Sequence, residues 1–145
     1  MNEWYQVKSK FTKEYTDGTL KRVTEPCLYN AMSFTEAEAR ANKEIGQYVR
    51  GEFLITHIAK QNFQDIFEYD DSETYYKAKV SYISEDADSG KEKKVSNSYL
   101  VSANSTNEAS DRIEENLKGL MVTFEISKVE KTKLVAVYPY EQIED

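Results

Sequence analysis

The chain has 145 residues, of which 31% are charged and 39% hydrophobic, and its formal net charge is -7. This composition is typical of a folded soluble protein and argues against a disordered chain. The negative charge disfavours DNA and anionic membranes as partners, and the single cysteine, Cys27, excludes an intrachain disulfide and a thiol-rich metal site.

The targeting signals that a sequence can show are not visible in this chain. No apolar run approaches the roughly 20 residues that span a bilayer, and the first residues lack a basic segment followed by an apolar one. We therefore expect a cytoplasmic protein without a membrane partner.

The first predicted elements are two strands. Tyr5, Val7 and Phe11 stand at alternate positions, which is the period of a half-buried strand. A turn follows at Asp17-Gly18, and a second alternating segment runs through residues 23–31. Pro26 lacks a backbone donor, so we expect this second strand to lie at a sheet edge or to contain a bulge.

A helix and two more extended segments follow. Ser33 and Glu36 form an S-x-x-E capping box, in which the serine side chain accepts from an amide of the first turn and the glutamate reaches back to the amide of the serine. A helical stripe of apolar residues continues from Ala37, and extended segments at 53–60 and 62–69 complete a ββαββ unit.

The second half of the chain repeats this pattern with an offset of 71 or 72 residues. Over the aligned segments 15 of 54 positions are identical, and Ser105 and Glu108 form a second capping box. The sequence therefore predicts an α+β fold with mainly antiparallel sheet, built from two tandem ββαββ repeats at 4–69 and 75–140. The segment 70–74 joins them. Because one helix covers only one face of a sheet, we expect a single domain, 1–145, in which the repeats share a core and a pseudo-two-fold axis.

No catalytic residues, metal ligands or cofactor are predicted. His57 is the only histidine and lies in a strand pattern, and Cys27 is read as a small buried apolar residue. The acidic run 85–90 lacks the later ligands of a calcium loop and is read as a solvated hairpin tip. Because no nucleophile is visible beside a base, an enzyme is disfavoured, although paired carboxylates remain open.

Conserved polar and aromatic positions of the two repeats give the candidate ligand site. A nucleotide is held by cations on its phosphate and a ring against its base. Structural roles are the competing interpretation, with solvated lysines, sheet-packed rings, and arginines paired with a glutamate one helical turn earlier. The predicted ligand-binding residues are, in pairs, Trp4 and Tyr75, Lys8 and Lys79, and Arg40 and Arg112.

A further signal comes from five segments, 4–7, 17–26, 33–39, 50–53 and 89–95. These segments resemble an uncharacterised family, a domain of unknown function encoded by gut anaerobes and their phages. The resemblance covers nearly the whole chain and implies a small phage-type accessory protein, located in the host cytoplasm. It implies no catalytic or binding residues.

Two functions follow as expectations. The first is a non-enzymatic protein that sequesters a small anionic nucleotide signal and so counters host defence. The alternative is a protein-interaction module that inhibits a host protein through an acidic surface or an exposed strand edge. A homo-oligomer is compatible with either function, because the chain has 11 tyrosines that would suit an interface.

Overall fold

The computed structural model describes residues 2–120 and 122–140. The class is α+β, with two helices and two four-stranded, mainly antiparallel sheets, as predicted. The elements, in chain order, are β1 (Glu3–Glu14), β2 (Leu20–Ala31), α1 (Phe34–Tyr48), β3 (Phe53–Gln61), β4 (Asp65–Phe67), β5 (Thr74–Glu85), β6 (Glu92–Ala103), α2 (Thr106–Leu117), β7 (Phe124–Lys131) and β8 (Ala136–Tyr138). This order is compatible with the predicted tandem repeat. Neither described helix has the length and apolar character needed to cross a membrane.

Unit 1 is formed by the described residues of Met1–Asn62 and Leu134–Asp145. Its sheet has the order β3-β1-β2-β8. The strands β1 and β2 form a long antiparallel hairpin, and β3 pairs with the other side of β1, with a register shift between Lys8 and Ser9. The short strand β8 lies parallel to β2, where Cys27 meets Ala136 and Tyr29 meets Tyr138.

Unit 2, Phe63–Lys133, has the same arrangement with different residues. Its sheet order is β4-β6-β5-β7, with β5 and β6 as the antiparallel hairpin. The register shift opposite β7 falls between Lys79 and Val80. The short strand β4 lies parallel to β6, where Tyr99 meets Asp65 and Val101 meets Phe67.

The last short strand of each half of the sequence is therefore found in the sheet of the other half. The strand β4 belongs to the predicted first repeat but pairs with β6, and β8 belongs to the predicted second repeat but pairs with β2. A parallel partner cannot be supplied by a tight turn, so it comes from a distant part of the chain. The pseudo-two-fold relation between the repeats stays a prediction.

Each unit has a core cluster that draws residues from both halves of the sequence. In unit 1, side chains of β1, β2 and α1 form the cluster, and Ala136 and Tyr138 of β8 pack against it. In unit 2, side chains of β5, β6 and α2 form the cluster, and Phe67 and Tyr69 pack against it. Each helix thus covers one face of its own sheet.

Both helices begin at the predicted serines. The Ser33 hydroxyl accepts from the Glu36 amide at 3.1 Å, and the Ser105 hydroxyl accepts from the Glu108 amide at 3.0 Å. Each glutamate accepts from the amide that precedes the serine, at Met32 and Asn104, whereas the sequence predicted the amide of the serine itself. Both helix starts are thereby capped by the same local motif.

Pro26 lies neither in an edge strand nor at a bulge of the β1–β2 pairing, in contrast to the prediction. It stands opposite Lys8 in the β1–β2 hairpin, and β8 joins the other side of β2 only from Cys27 onward. The Pro26 carbonyl accepts from the Val135 amide at 2.9 Å, just before β8 begins. The missing donor therefore falls at the point where β2 has no strand on its second side, which a proline tolerates.

Candidate functional site

The predicted rings and lysines lie on the strands β1 and β5. Tyr5 and Val7 pack in the cluster that contains the buried face of α1, so Trp4 and Lys8, at the alternate positions, face away from α1. Trp4 and Lys8 are four residues apart, which separates them by about 13 Å along the strand.

The strand β5 has the same division in unit 2. Tyr76 and Ala78 pack toward α2, and Tyr75 and Lys79 face away from it. Lys79 stands in register with Lys128 of β7, in the same way that Lys8 stands in register with His57 of β3. The side chain of Lys79 is exposed, whereas Tyr75 is half-buried.

The predicted arginines are engaged by the protein itself. Arg112 donates to the Ser102 carbonyl at 2.8 Å and to the Asp71 carboxylate at 2.6 Å. Its guanidinium lies 4.1 Å from the centre of the Tyr69 ring and 3.1 Å from the Glu108 carboxylate. With a side chain only 11% exposed, Arg112 holds the segment after β4 against α2 and β6.

Arg40 has a similar role in unit 1. It donates to the Asn30 carbonyl at the end of β2 and, at 2.9 Å, to the Pro139 carbonyl after β8. The two arginines thus lie on the helix side of their sheets, whereas Trp4 and Tyr75 face the other side. The structure does not bring cation and ring together in the arrangement that the sequence predicted, and the ligand-binding role of these residues stays a prediction.

A cleft in unit 1 is the largest of the described cavities, with a volume of ≈ 770 Å³. It opens between the end of α1, the β1–β2 hairpin and β8, and its volume lies in the range of small-molecule sites. Its walls carry apolar and aromatic side chains, namely Phe11, Leu20, Tyr48, Val49, Val135, Ala136 and Tyr138. Tyr48, Leu20 and Val135 are 48%, 64% and 48% exposed, so apolar surface is accessible at this place.

The floor of the cleft carries weakly acidic groups that stay protonated. Burial, and then the charge of Glu25, raises the pKa of the Cys27 thiol to about 11. Burial likewise raises the pKa of Tyr48 and of Tyr138. The thiol is therefore not ionised at neutral pH and lacks the thiolate that nucleophilic catalysis requires. The floor offers neutral hydroxyl and thiol groups to a ligand.

Tyr29 lies beside the floor and is fully buried. Its ring stacks on that of Tyr138, with centroids 4.8 Å apart and an interplanar angle of 12°. Burial raises the pKa of its hydroxyl, and Cys27, Tyr138, Tyr48 and Glu44 add to this effect. Among the described residues this hydroxyl has no hydrogen-bond partner.

Two cations and two carboxylates complete the lining. Lys13 forms an ion pair with Glu25 at 3.1 Å, so these two charges offset each other. Arg50 and Glu14 also line the cleft. Arg50 is exposed, and no ion pair is described for it within residues 2–120 and 122–140. It is therefore the cation available to an anionic group of a ligand.

The equivalent place in unit 2 is filled by a ring. Cys27 pairs with Val7 and Ala136, and Tyr99 has the corresponding register with Ala78 and Asp65. The Tyr99 ring stacks on that of Phe67, at 5.9 Å and 12°. Two cavities described in unit 2 have volumes of ≈ 410 and ≈ 430 Å³, and Tyr99 lines neither.

None of the six ligand-binding residues predicted from the sequence lines the cleft. One feature of the sequence could nevertheless have indicated the cleft. The alignment of the repeats sets Cys27 opposite Tyr99, so a small residue replaces a large one at a core position. We interpreted Cys27 as buried and apolar, and it is 3% exposed. No group of three or more potential metal-ligating side chains occurs in the described part of the chain.

Residues 3–140 match the family described as "Domain of unknown function (DUF4494)". The chain belongs to this family. No curated protein and no solved structure matches the chain. The predicted resemblance to an uncharacterised family, a domain of unknown function, is confirmed.

Proposed function

We propose that this DUF4494 protein is a binding protein that holds a small anionic ligand with a planar ring, of the nucleotide class, in the cleft of unit 1. The observation that supports this most is a cleft of ≈ 770 Å³ that combines the rings of Phe11, Tyr48 and Tyr138 with the cation of Arg50. Rings that stack on a base and a cation that meets a phosphate are the elements of nucleotide binding.

Binding without chemical change is the mode that the side chains support. Cys27 supplies a thiol to the cleft, and the raised pKa of this thiol, to about 11, keeps it protonated at neutral pH. His57 stands on β3 in register with Lys8, on the sheet face away from α1. The structure thus supplies Cys27 with no histidine as a base.

The source expected from the resemblance gives such a binding protein a task. If the chain is encoded by a phage of gut anaerobes, sequestration of a nucleotide signal would lower the free concentration of that signal in the host. Sequestration of this kind requires the protein in stoichiometric amounts and an affinity that matches the signal concentration. Localisation in the host cytoplasm belongs to the same proposal.

Calorimetry with a panel of nucleoside monophosphates, cyclic dinucleotides and ADP-ribose tests the proposal. We expect a dissociation constant of about 10 μM or lower for at least one of them. We expect one ligand per chain, because the cleft is described in unit 1 and its counterpart in unit 2 is filled. Two ligands per chain would favour the symmetric pockets predicted from the sequence, and no heat from any of them would contradict the proposal.

A variant in which the cleft is filled tests whether the ligand binds there. The triple substitution Cys27→Tyr, Tyr29→Val and Ala41→Ile copies the unit 2 residues Tyr99, Val101 and Ile113 into unit 1. We expect it to fold and to lose at least a hundredfold in affinity, since a ring fills the cleft. The control variant, Lys8→Ala with Lys79→Ala, removes the predicted lysines and is expected to bind like the parent protein.

A second candidate function is protein binding at a sheet edge. The strand β3 is one of the two end strands of the unit 1 sheet and is nine residues long, and Leu54 in it is 59% exposed. An end strand pairs within its sheet on one side only, so its other side can accept a strand of a partner. A protein partner that binds the cleft-filled triple variant as tightly as the parent protein would assign the interaction to a surface other than the cleft.

A further inference from the structure

The end of the β1–β2 hairpin combines two lysines with a tyrosine. Lys13 of β1 stands directly opposite Lys21 of β2 in the antiparallel register. The Lys13 ammonium lies 5.7 Å from the centre of the Tyr15 ring, and the Lys21 ammonium lies 5.6 Å from it. Like charges that stand directly opposite each other destabilise a sheet. The ring offsets part of this cost, because the face of an aromatic ring attracts cations.

The fold does not require this arrangement, since unit 2 has other residues at the same place. In the β5–β6 hairpin, Ser84 stands opposite Lys93. Asp86 begins the turn of that hairpin, as Tyr15 begins the turn of the β1–β2 hairpin. A pair of lysines with a ring therefore stands at the hairpin end of the unit that contains the cleft, whereas a serine, a lysine and a carboxylate stand there in the other unit.

The lysines lie at the hairpin side of the cleft. Lys13 lines the cleft, and so does Leu20, the residue before Lys21. Cross-strand neighbours share a sheet face, and this face is that of Phe11, two positions before Lys13. The Lys13 ammonium is paired with Glu25 at 3.1 Å, whereas Lys21 is exposed and has no ion pair among the residues that the structure describes. Lys21 is therefore the cation that an anion can reach on this side.

The other available cation belongs to a different element. Arg50 lines the cleft and follows the end of α1, and its side chain is exposed. The helix side and the hairpin side of the cleft thus each provide one cation without an ion pair among the described residues. A ligand with a single phosphate needs only one of them, whereas a ligand with two phosphates uses both.

We infer that Lys21 is a specificity-determining residue that binds a second phosphate of the ligand while Arg50 binds the first, so that the cleft takes nucleotides with two phosphate groups. This inference rests on the proposed function, because it names the class of nucleotide that the same cleft takes. A lysine binds phosphate as a point charge, and hydrogen bonds between two charged groups are stronger than neutral ones.

Probes that differ in one phosphate test the inference, namely the 5′-monophosphates and 5′-diphosphates of adenosine, guanosine, cytidine and uridine. Calorimetry is performed at one ionic strength, because salt screens exposed charges. We expect the parent protein to bind at least one diphosphate about tenfold more tightly than its monophosphate, as one hydrogen bond to a charged group provides. The Lys21→Ala variant is expected to lose this preference through weaker binding of the diphosphate. The control variant Lys93→Ala, at the equivalent position of unit 2, is expected to keep it.

A second measurement separates recognition from folding. Because Lys21→Ala removes the charge opposite Lys13, we expect the thermal unfolding midpoint of the free protein to stay equal or to rise. Equal affinities for the monophosphate and diphosphate of every nucleoside that binds would overturn the role of Lys21 and leave the proposed function standing. If only cyclic dinucleotides or ADP-ribose bind, an unchanged affinity in Lys21→Ala would overturn it in the same way. No heat from any of these probes would overturn the proposed function and this inference with it.

Discussion

The two units have the same strand order and the same register but differ in where a large ring stands. In unit 1, β2 carries a cysteine at position 27 and a tyrosine at position 29; in unit 2, β6 carries a tyrosine at position 99 and a valine at position 101. The helices also differ at one equivalent core position, where α1 has the small residue Ala41 and α2 has the larger residue Ile113. The same backbone therefore supports a closed core in one unit and a cleft in the other.

The arginines show what the two units retain. Arg40 and Arg112 both donate to a carbonyl near the end of the central strand, at Asn30 and Ser102. Each also reaches the segment that follows the exchanged short strand, through the Pro139 carbonyl in unit 1 and the Asp71 carboxylate in unit 2. A residue identical in two repeats thus has a structural explanation in both, whereas the residues that differ form the candidate site.

The largest expected effect concerns the exchanged strand. A chain that ends at Lys133 lacks β8, so Ala136 and Tyr138 no longer pack against the unit 1 core. We expect unit 1 to lose more than about 3 kcal/mol of stability, as for deletion of a core aromatic side chain. Hydrogen exchange should then show lost amide protection in β1, β2, β3 and α1.

A chain that ends at Tyr140 is the control, because it retains β8. If β1, β2 and α1 stay as protected in the chain that ends at Lys133 as in this control, the strand exchange does not support unit 1. The comparison of the units would then have to explain the cleft without β8.

A reverse exchange of residues sharpens the comparison. The triple substitution Tyr99→Cys, Val101→Tyr and Ile113→Ala copies the unit 1 residues into unit 2. This exchange removes core volume, mainly at Ile113→Ala, so we expect a folded protein that is destabilised by at least about 2 kcal/mol and has a new cleft beside Phe67. An apolar fluorescent dye detects the new cleft: we compare the dye fluorescence of this variant with that of the variant in which the unit 1 cleft is filled. An unchanged signal would mean that these three positions do not determine the cleft.

The smallest expected effect is a dependence on alkaline pH. Burial raises the pKa of Cys27 from 9.0 to about 11, so the folded state retains a proton that the unfolded state releases. Stability is therefore expected to fall between pH 9 and pH 11, by about 1 kcal/mol at pH 10 from this group. Urea unfolding at several pH values measures this slope.

The Cys27→Ala variant isolates the contribution of the thiol, because the tyrosines titrate in both proteins. The slope of stability against pH should be shallower in the variant over this range. Equal slopes would show that the thiol reaches solvent in the folded state, which would contradict the burial of Cys27.

Local patterns in the sequence were sufficient for the elements. Alternation at Tyr5, Val7 and Phe11 and the serines at 33 and 105 predicted strands and helix starts that the structure contains. These signals depend on neighbouring residues, whose interactions are set by the period of a strand or by a helix cap. The α+β class followed from them.

The pairing partners of β4 and β8 and the position of the site were decided by the tertiary structure. Parallel pairing joins Tyr138 to Tyr29 across more than a hundred residues, and no local pattern specifies such a partner. Residues of the same type at equivalent positions of the two repeats suggested Trp4, Lys8 and Arg40, but a sheet has two faces, and the helix covers one of them. By itself, the sequence determined which segments are strands and helices; the tertiary structure determined which side chains meet, because a cleft arises where packing leaves space between distant segments.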